Sequence, residues 1–503
     1  MVAKSHPLLI ADLMEASGVR FGTSGARGLA EDMTDRVCYA YTVGFLHYLR
    51  EQGYIDPSCR VGIAGDLRPS SDRIANACAQ AALDLGHRPV NLGKLPTPAL
   101  TNYGIRQGVP TLMVTGSHIP DDRNGIKFNT PAGEISKQDE GGIRRQQVEI
   151  ANELFDTTSG ALLGERRALP DVDPEGADAY VQRYLSFLPP DCLAGLRVGL
   201  YEHSTVAREA MHQVLAGLGA QIMRLGFSSH FVPVDTEAIR PEDVQLARDW
   251  AGSGQFDSLV SADGDGDRPL VSDERGEWLR GDVAGVLCAR YLGADAVVTP
   301  VSSNSVVEKC GWFDQVIRTR IGSPYVIEGM ERARQLGFSR VVGYEANGGF
   351  LVATNLALGG RQLPALPTRD ALIVCLAVLL LAKQSGASIS QLLRQLPPRY
   401  TASDRVRDFP TELSRALLEA LSEGEPQSGQ GMVAAIFGPH FGDVASLDHT
   451  DGLRITFASG EIAHLRPSGN APEFRAYTEA GTPERAWEMS RICTGIIEHW
   501  RDR

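Results

Sequence analysis

Short apolar runs alternate along this chain with longer stretches in which apolar positions recur every three to four residues. In "DRVCYAYTVGFLHYLREQG" the residues Val37, Ala40, Tyr41, Gly44, Phe45 and Tyr48 fall on one helical face, and "RVGIAGD" after it reads as a short buried strand. "SSDRIANACAQAALDLG" then predicts a helix opened by a serine cap, "RPVNLG" a second strand, "TNYGIRQG" a short helix and "TLMVTGS" a third strand. Strand and helix alternating in this way predict a largely parallel sheet covered by helices.

The pattern recurs. Residues 60–93, from "RVGIAGD" to "LGHRPVNLG", match residues 197–226, from "RVGLYEH" to "LGAQIMRLG", in residue type and order, so two units share one topology. A third unit, "ADAVVTPVSSNSVVEKCGWFDQVIRTRIG" followed by "SPYVIEGMERARQLGFSRVVGYE", again reads strand, helix, strand, helix, strand. From about residue 400 the pattern changes to a charged helix, the turn-rich "EGEPQSGQG", short strands and a closing helix. Turn formers cluster at 157–165, around Gly281 and at 395–404, which divides the chain into units at 1–165, 166–283, 284–397 and 398–503.

Composition narrows the class. A chain of 503 residues exceeds what one core supports and calls for several domains of about 100 to 150 residues. With 43% hydrophobic and 22% charged residues it is an ordinary globular composition, and a net charge of -13 argues against a nucleic-acid partner. "ALIVCLAVLLLAK" from Ala371 is too short to span a bilayer and reads as a buried helix. The first residues lack a sustained apolar segment with a small-residue cleavage site, so a cytoplasmic location and no membrane partner are expected. The eight cysteines have neither C-x-x-C nor histidine spacing, which leaves no zinc site or disulfide framework.

Four polar islands each follow a strand-like run, where open α/β sheets place their ligands. "RFGTSGARG" (20–28) offers three glycines through which backbone amides can approach an anion, with Arg20 and Arg27 supplying charge; the bland alternative is a common Gly-Ser loop. "TGSHIPDDRNGIKF" (115–128) places Ser117 with His118 and Lys127, a set able to carry a phosphoryl group if the hydroxyl is exposed; the alternative is a turn at Asn124-Gly125. "SADGDGDRPLV" (261–271) spaces Asp263, Asp265 and Asp267 two apart, so that a curled loop aims three carboxylates at one hard cation, magnesium being the natural candidate. An EF-hand would use Glu274 as its twelfth residue, but Arg268 stands where a glycine is required. "RPSGNAPEFR" (466–475) surrounds a Gly469 turn with Arg466, Ser468, Asn470 and Arg475, donors suited to a phosphate dianion.

Taken together and in this order, "FGTSGARG", "TGSHIPDDRNGIK", "DGDGDR" and "RPSGNAPEFRAYTEA" closely resemble the α-D-phosphohexomutase family from about residue 20 to 480. The resemblance implies four domains around a central cleft: three α/β domains with mixed sheets, then a smaller α+β domain. The four units would in turn carry the phosphoserine, metal-binding, sugar-binding and phosphate-binding loops. It further implies that Ser117 carries the phosphoryl group, that Asp263, Asp265 and Asp267 hold Mg2+ with the phosphoserine, and that Arg27, His118, Lys127 and Arg268 surround the transferred group. Arg466, Ser468, Gly469, Asn470 and Arg475 would hold the non-reacting phosphate. The substrate class is a hexose phosphate, and hexose 1,6-bisphosphate is the expected intermediate.

One island departs from the family. Where many members read Gly-Glu-x-Ser-Gly-His, this chain has "GYEANGGF" (343–350): Glu345 matches the sugar-binding glutamate, Asn347 replaces serine and Gly349 replaces histidine. Asn470 and Ala471 also replace the usual Thr-Glu of the phosphate loop, and Ile119 an asparagine of the serine loop. The expected reaction is interconversion of mannose 6-phosphate and mannose 1-phosphate, with glucose phosphates, alone or as well, as the alternative. A sensor without turnover is disfavoured because Ser117 and all three aspartates are retained.

Overall fold

The computed structural model describes residues 7–22, 25–164, 169–422, 426–468 and 472–502, with backbone alone for 426–430. No residue of the run Thr111–Val114 is exposed, and the run lies in the interior of the first sheet. The elements of that sheet are β1 (Arg20–Phe21), β2 (Gly25–Leu29), α1 (Asp35–Glu51), β3 (Arg60–Gly65), α2 (Ser71–Asp84), β4 (Arg88–Lys94), α3 (Thr97–Gln107), β5 (Thr111–Val114) and β6 (Arg123–Thr130). Their order is β1-β2-β6-β5-β3-β4; β4, β3 and β5 are parallel, the rest antiparallel, so the sheet is mixed.

The internal repeat holds in space. After α4 (Glu175–Phe187) come β7 (Arg197–His203), α5 (Arg208–Gly217), β8 (Gln221–Phe227), α6 (Pro241–Ala251), β9 (Ser258–Ala262) and β10 (Pro269–Val271). The pair β7-β8 is parallel through α5, as β3-β4 is through α2. The sheet order is β8-β7-β9-β10, with β10 antiparallel. The third unit repeats this plan: α7 (Gly281–Tyr291), β11 (Ala296–Pro300), α8 (Val306–Lys309), β12 (Gln315–Thr319), α9 (Ser323–Gln335), β13 (Val341–Tyr344), β14 (Phe350–Val352) and α10 (Ala371–Ser385), ordered β12-β11-β13-β14.

The last unit is antiparallel throughout, with β15 (Tyr400–Arg407), α11 (Thr411–Ser422), α12 (Pro426–Phe441), β16 (Val444–Asp448), β17 (Leu453–Phe457), β18 (Ile462–Pro467), β19 (Glu473–Ala480) and α13 (Pro483–Arg501) in the order β15-β19-β18-β17-β16. Its strands alternate: Ala402, Val406, Phe474 and Ala476 enter a core under the helices, while Ser403, Arg405, Arg475 and Tyr477 face the other way.

The structure corrects four local expectations. Helix α1 is buried on nearly every side, since it is covered by α2 as well as by its own sheet. Helix α2 has no serine cap: Ser71 donates instead to Asp66 at 2.6 Å, and Ser70 accepts from Asn124. The short helix predicted over "TNYGIRQG" starts earlier, at Thr97. The last unit opens on strand β15 rather than a helix, and the backbone is helical from Pro426 in the stretch read as turn-rich; positions 423–425 lie outside the described residues.

Helix α10, the apolar run, is the centre of the largest core cluster, with Leu372, Val374, Leu376 and Val378 almost without exposure. Each such side chain contributes about 1.5–3 kcal/mol. Asp370 caps the helix, accepting from Leu372 N at 3.0 Å and from the hydroxyls of Tyr180 and Tyr184. No helix among the described residues is long and apolar enough to cross a membrane, and all eight cysteines are free thiols.

Candidate active site

Strand β5 ends at Val114, and the chain turns so that Thr115 Oγ1 accepts from Ser117 N at 2.7 Å. Ser117 takes a φ of 57°, a left-handed conformation that costs a non-glycine residue of order 1 kcal/mol and is found where surroundings over-determine it. Arg68 supplies that constraint. Its guanidinium donates to the carbonyls of Ser117 (2.9 Å), Ile119 (2.5 Å), Pro120 (2.6 Å) and Arg123 (2.9 Å). It pairs with Asp66 at 3.0 Å, both side chains fully buried, and lies 4.1 Å from the Phe231 ring centroid. Arg68→Ala strands the Asp66 carboxylate, so a loss of about 3–5 kcal/mol is expected, read as a lower denaturant midpoint; an unchanged midpoint would contradict the constraint.

The exposure set as a condition for Ser117 is largely absent: the residue is 1% exposed and lines a pocket. That pocket is also lined by Gly25, Arg27, Lys127, Arg268 and Arg369. Arg20 is exposed and lies outside it. Two paired strands bring Arg27 and Lys127 together: Arg27 on β2 pairs in register with Gly125 on β6, two residues before Lys127.

Between β9 and β10 the chain curls, Asp263 Oδ1 accepting from the amides of Asp267 (3.1 Å) and Arg268 (3.2 Å). The predicted convergence of Asp263, Asp265 and Asp267 is found: all three are fully buried and each offers an oxygen within 4.8 Å of the others. Ser117 Oγ donates to Asp263 Oδ2 at 2.6 Å. Gly264 lets the two loops meet this closely, because a Cβ there would lie 2.8 Å from the Ser117 carbonyl oxygen. Glu274 instead accepts from Ser388 and Ser390, which removes the EF-hand reading.

Charge is balanced tightly around the triad. Lys127 Nζ donates to Asp265 Oδ2 (2.6 Å) and Asp267 Oδ2 (2.7 Å), Thr97 Oγ1 to Asp265 Oδ2 (2.6 Å), and Arg369 Nε to Asp267 Oδ2 (3.0 Å). Burial, then the Asp265 and Asp267 charges, push the Asp263 carboxyl well above its ordinary range. Burial alone would raise Asp267, but Arg369 and then Lys127 hold it below that range. Burial opposes the charge on Lys127 as well, and the two aspartates outweigh it. Oδ1 of Asp265 and of Asp267 are buried with no donor. Two orphaned hard oxygens beside a third carboxylate fit a divalent cation such as magnesium.

His118 lies 3.3 Å from Ser117 Oγ and accepts at Nδ1 from Arg268 Nη1 at 2.8 Å, with Nε2 4.0 Å from Asp235. Burial and then Arg268 bring its pKa down to about 3, so the imidazole is neutral near pH 7.

In the third unit Glu345 follows β13 and is 4% exposed. Arg369 Nη1 approaches Glu345 Oε2 at 3.3 Å. Asn347 turns its Oδ1 to Gly349 N at 2.9 Å, and its carbonyl accepts from Thr236 Oγ1. A Cβ at Gly349 would lie 2.5 Å from Arg369 Cδ. Arg369 thus fills the space that a side chain at Gly349 would need.

In the last unit Ser468 N donates to the Glu473 carbonyl at 2.8 Å; Gly469 and Asn470 lie outside the described residues. Arg466 on β18 stands opposite Arg475 on β19, and Arg475 opposite Arg405 on β15, so three arginines form a row across adjacent strands. Arg466 Nε is 2.9 Å from Asp451 Oδ1, and Glu473 Oε2 accepts from Arg475 at 3.1 Å. Arg405 and Arg475 line one cleft with His118, Asp235 and Arg268, about 1000 Å³ and open to solvent.

Thr97, Arg68, Arg369 and Arg405 were not singled out in the sequence. Arg369 sits in "LPTRDALIV", where the apolar run marks a helix start and nothing local ties it to Asp267, 102 residues earlier.

Known proteins match this chain over almost its whole length. The family model for phosphoglucomutase/phosphomannomutase, alpha/beta/alpha domain I, matches residues 18–153, and that for domain III residues 280–400. A phosphomannomutase of Sinorhizobium fredii is 43% identical, covering 93% of this chain and 96% of the relative. One of Salmonella muenchen is 42% identical, covering 97% of each. A phosphoglucomutase/phosphomannomutase family protein from Burkholderia thailandensis superposes with a TM-score of 0.71 at 19% identity, over 95% of this chain and 96% of that one. An Aspergillus fumigatus N-acetylphosphoglucosamine mutase, solved with GlcNAc-6P and magnesium, does so at 0.59 and 14% identity over 98% of each. The two structures carry the fold; with the identities of the two relatives, the chain belongs to the phosphoglucomutase/phosphomannomutase family.

Proposed function

We propose that this chain is a magnesium-dependent hexose-phosphate mutase that interconverts mannose 6-phosphate and mannose 1-phosphate through a phosphorylated Ser117. The observation that carries the reading is the 2.6 Å bond from Ser117 Oγ to Asp263 of a buried triad, inside a pocket rimmed by Arg27, Lys127 and Arg268. The names of the two relatives support the sugar assignment. In this reading the chain divides into four domains at 1–165, 166–283, 284–397 and 398–503, one loop from each lining the cleft.

Phosphoryl transfer needs positioned charge more than covalent machinery. The C6 hydroxyl of mannose 1-phosphate attacks phosphorus as the bond to Ser117 Oγ breaks, and the hydroxyl proton ends on Ser117 Oγ, giving a 1,6-bisphosphate and free serine. After that molecule turns round, Ser117 Oγ takes the phosphoryl group from C1. Arg27, Lys127 and Arg268 balance the charge on the transferred group, and neutral His118 sits within reach of Ser117 Oγ. Asp263, Asp265, Asp267 and the phosphoserine would hold magnesium, which would supply Lewis-acid screening of the phosphoryl charge. Arg466, Ser468 and Arg475 hold the phosphate that is not reacting, and Glu345 takes sugar hydroxyls.

Turnover measured on mannose, glucose and glucosamine 1-phosphates, each started with a trace of its 1,6-bisphosphate, tests the assignment. Mannose 1-phosphate is expected to give the highest kcat/KM, and release of inorganic phosphate in place of the isomer would make the chain a phosphatase. Arg475→Ala removes a charge-assisted contact of roughly 1.5–3 kcal/mol, so kcat/KM should fall about ten- to a hundredfold. The loss should appear in both directions and for every accepted sugar, because the loop sees phosphate alone. No loss in either direction would show that this loop does not hold the distal phosphate.

A further inference from the structure

We infer that Arg369 is a positioning residue that ties the metal loop to the sugar loop, so that cation affinity and sugar handling depend on one guanidinium. The inference rests on the proposed metal and sugar roles of these loops. Its geometry is independent of them. The side chain is 4% exposed and bridges two carboxylates from different units: Nε to Asp267 Oδ2 at 3.0 Å and Nη1 to Glu345 Oε2 at 3.3 Å. A buried charge is retained only if paired, and this one is paired on two sides.

Three features make the bridge rigid. Arg369 directly precedes the Asp370 cap, which two tyrosine hydroxyls and the Leu372 amide hold at the head of buried helix α10. On its other side Thr368 Oγ1 donates to Glu134 Oε1 at 2.6 Å. The aliphatic stem packs over Gly349, where any side chain would need its space. At Asp267 the consequence is local. Arg369 and Lys127 both donate to Oδ2, which leaves the buried Oδ1 without a hydrogen-bond donor, Arg268 Nε standing 3.7 Å from it. At Glu345 one oxygen is fixed, so the other is presented from a set position.

Arg369 is therefore also a cation competing with the metal for Asp267, and its removal has effects of opposite sign. Without its charge the site is one unit more negative and should bind Mg2+ more tightly. Glu345 loses its anchor, so sugar turnover should fall. A residue that merely maintains the fold would lower both.

The test is calorimetric titration of the full chain with Mg2+ alone, at matched phosphate content by intact mass, together with kcat and KM for mannose 1-phosphate. For Arg369→Ala an Mg2+ Kd at least fivefold lower and a kcat/KM at least tenfold lower are expected. Arg369→Lys keeps the charge but cannot span both carboxylates, so its Mg2+ affinity should stay near wild type while its sugar defect remains. This variant keeps the test decisive if the alanine variant misfolds. Metal affinity unchanged in Arg369→Ala, or reduced in parallel with turnover, overturns the inference, as does full activity in Arg369→Lys. Asp265→Asn separates the two levels. If it binds Mg2+ as wild type does, the metal reading fails and this inference with it; if it abolishes binding while Arg369→Ala leaves binding unmoved, this inference alone fails.

Discussion

Ser117→Ala is expected to abolish turnover, by a factor on the order of 10⁶ if Ser117 is the covalent carrier, that being the scale on which losing a nucleophile acts. The fold should survive, because Arg68 holds the loop through carbonyl oxygens that the substitution leaves in place. Alanine also tolerates the left-handed φ of 57° no worse than serine does. Intact-mass measurement should find one phosphate on the wild type and none on the variant. Asp263 would lose its hydroxyl donor at 2.6 Å, a small change beside loss of the phosphoryl acceptor. Substantial activity in a folded, phosphate-free Ser117→Ala protein would remove Ser117 from the reaction.

Chelation, or Asp265→Asn, is expected to lower kcat by about 10³-fold, equivalent to about 4 kcal/mol of charge stabilisation in the transition state. The substitution places an amide where Lys127 and Thr97 both donate to Oδ2 and where Oδ1 has no donor. It leaves Lys127 with Asp267 alone and the prospective cation with two carboxylates. Added Mg2+ should restore a chelated wild type fully and the variant only in part. A variant with wild-type activity and metal dependence would show that the triad is a structural acidic turn.

The chemistry was more legible in the sequence than its placement. Asp263, Asp265 and Asp267 are close in the chain, and glycines between them bend it, so their convergence needs little beyond local geometry. Ser117, His118 and Lys127 likewise share one strand-loop-strand segment. The burial of Ser117 was not legible, since it depends on Arg68 drawing four carbonyls inward and on Asp263 arriving 146 residues later. The helix cap at Ser70 failed for a similar reason: Asp66 and Asn124 compete for the hydroxyls, and only the folded sheet brings Asn124 there.

Period and order within the chain determined the strand-helix alternation, the internal repeat and the loops that carry oxygen and nitrogen donors. Side-chain direction in a strand follows from alternation, and a short loop limits how far its own residues can separate. Tertiary structure alone decided that Arg405 joins Arg466 and Arg475 in one row, which depends on antiparallel register across three strands. It alone decided that Arg369 meets Asp267 and Glu345, and that the space over Gly349 is filled by an arginine stem. Such pairings rest on contacts between residues far apart in the chain, whose partners no local pattern of apolar and polar positions specifies.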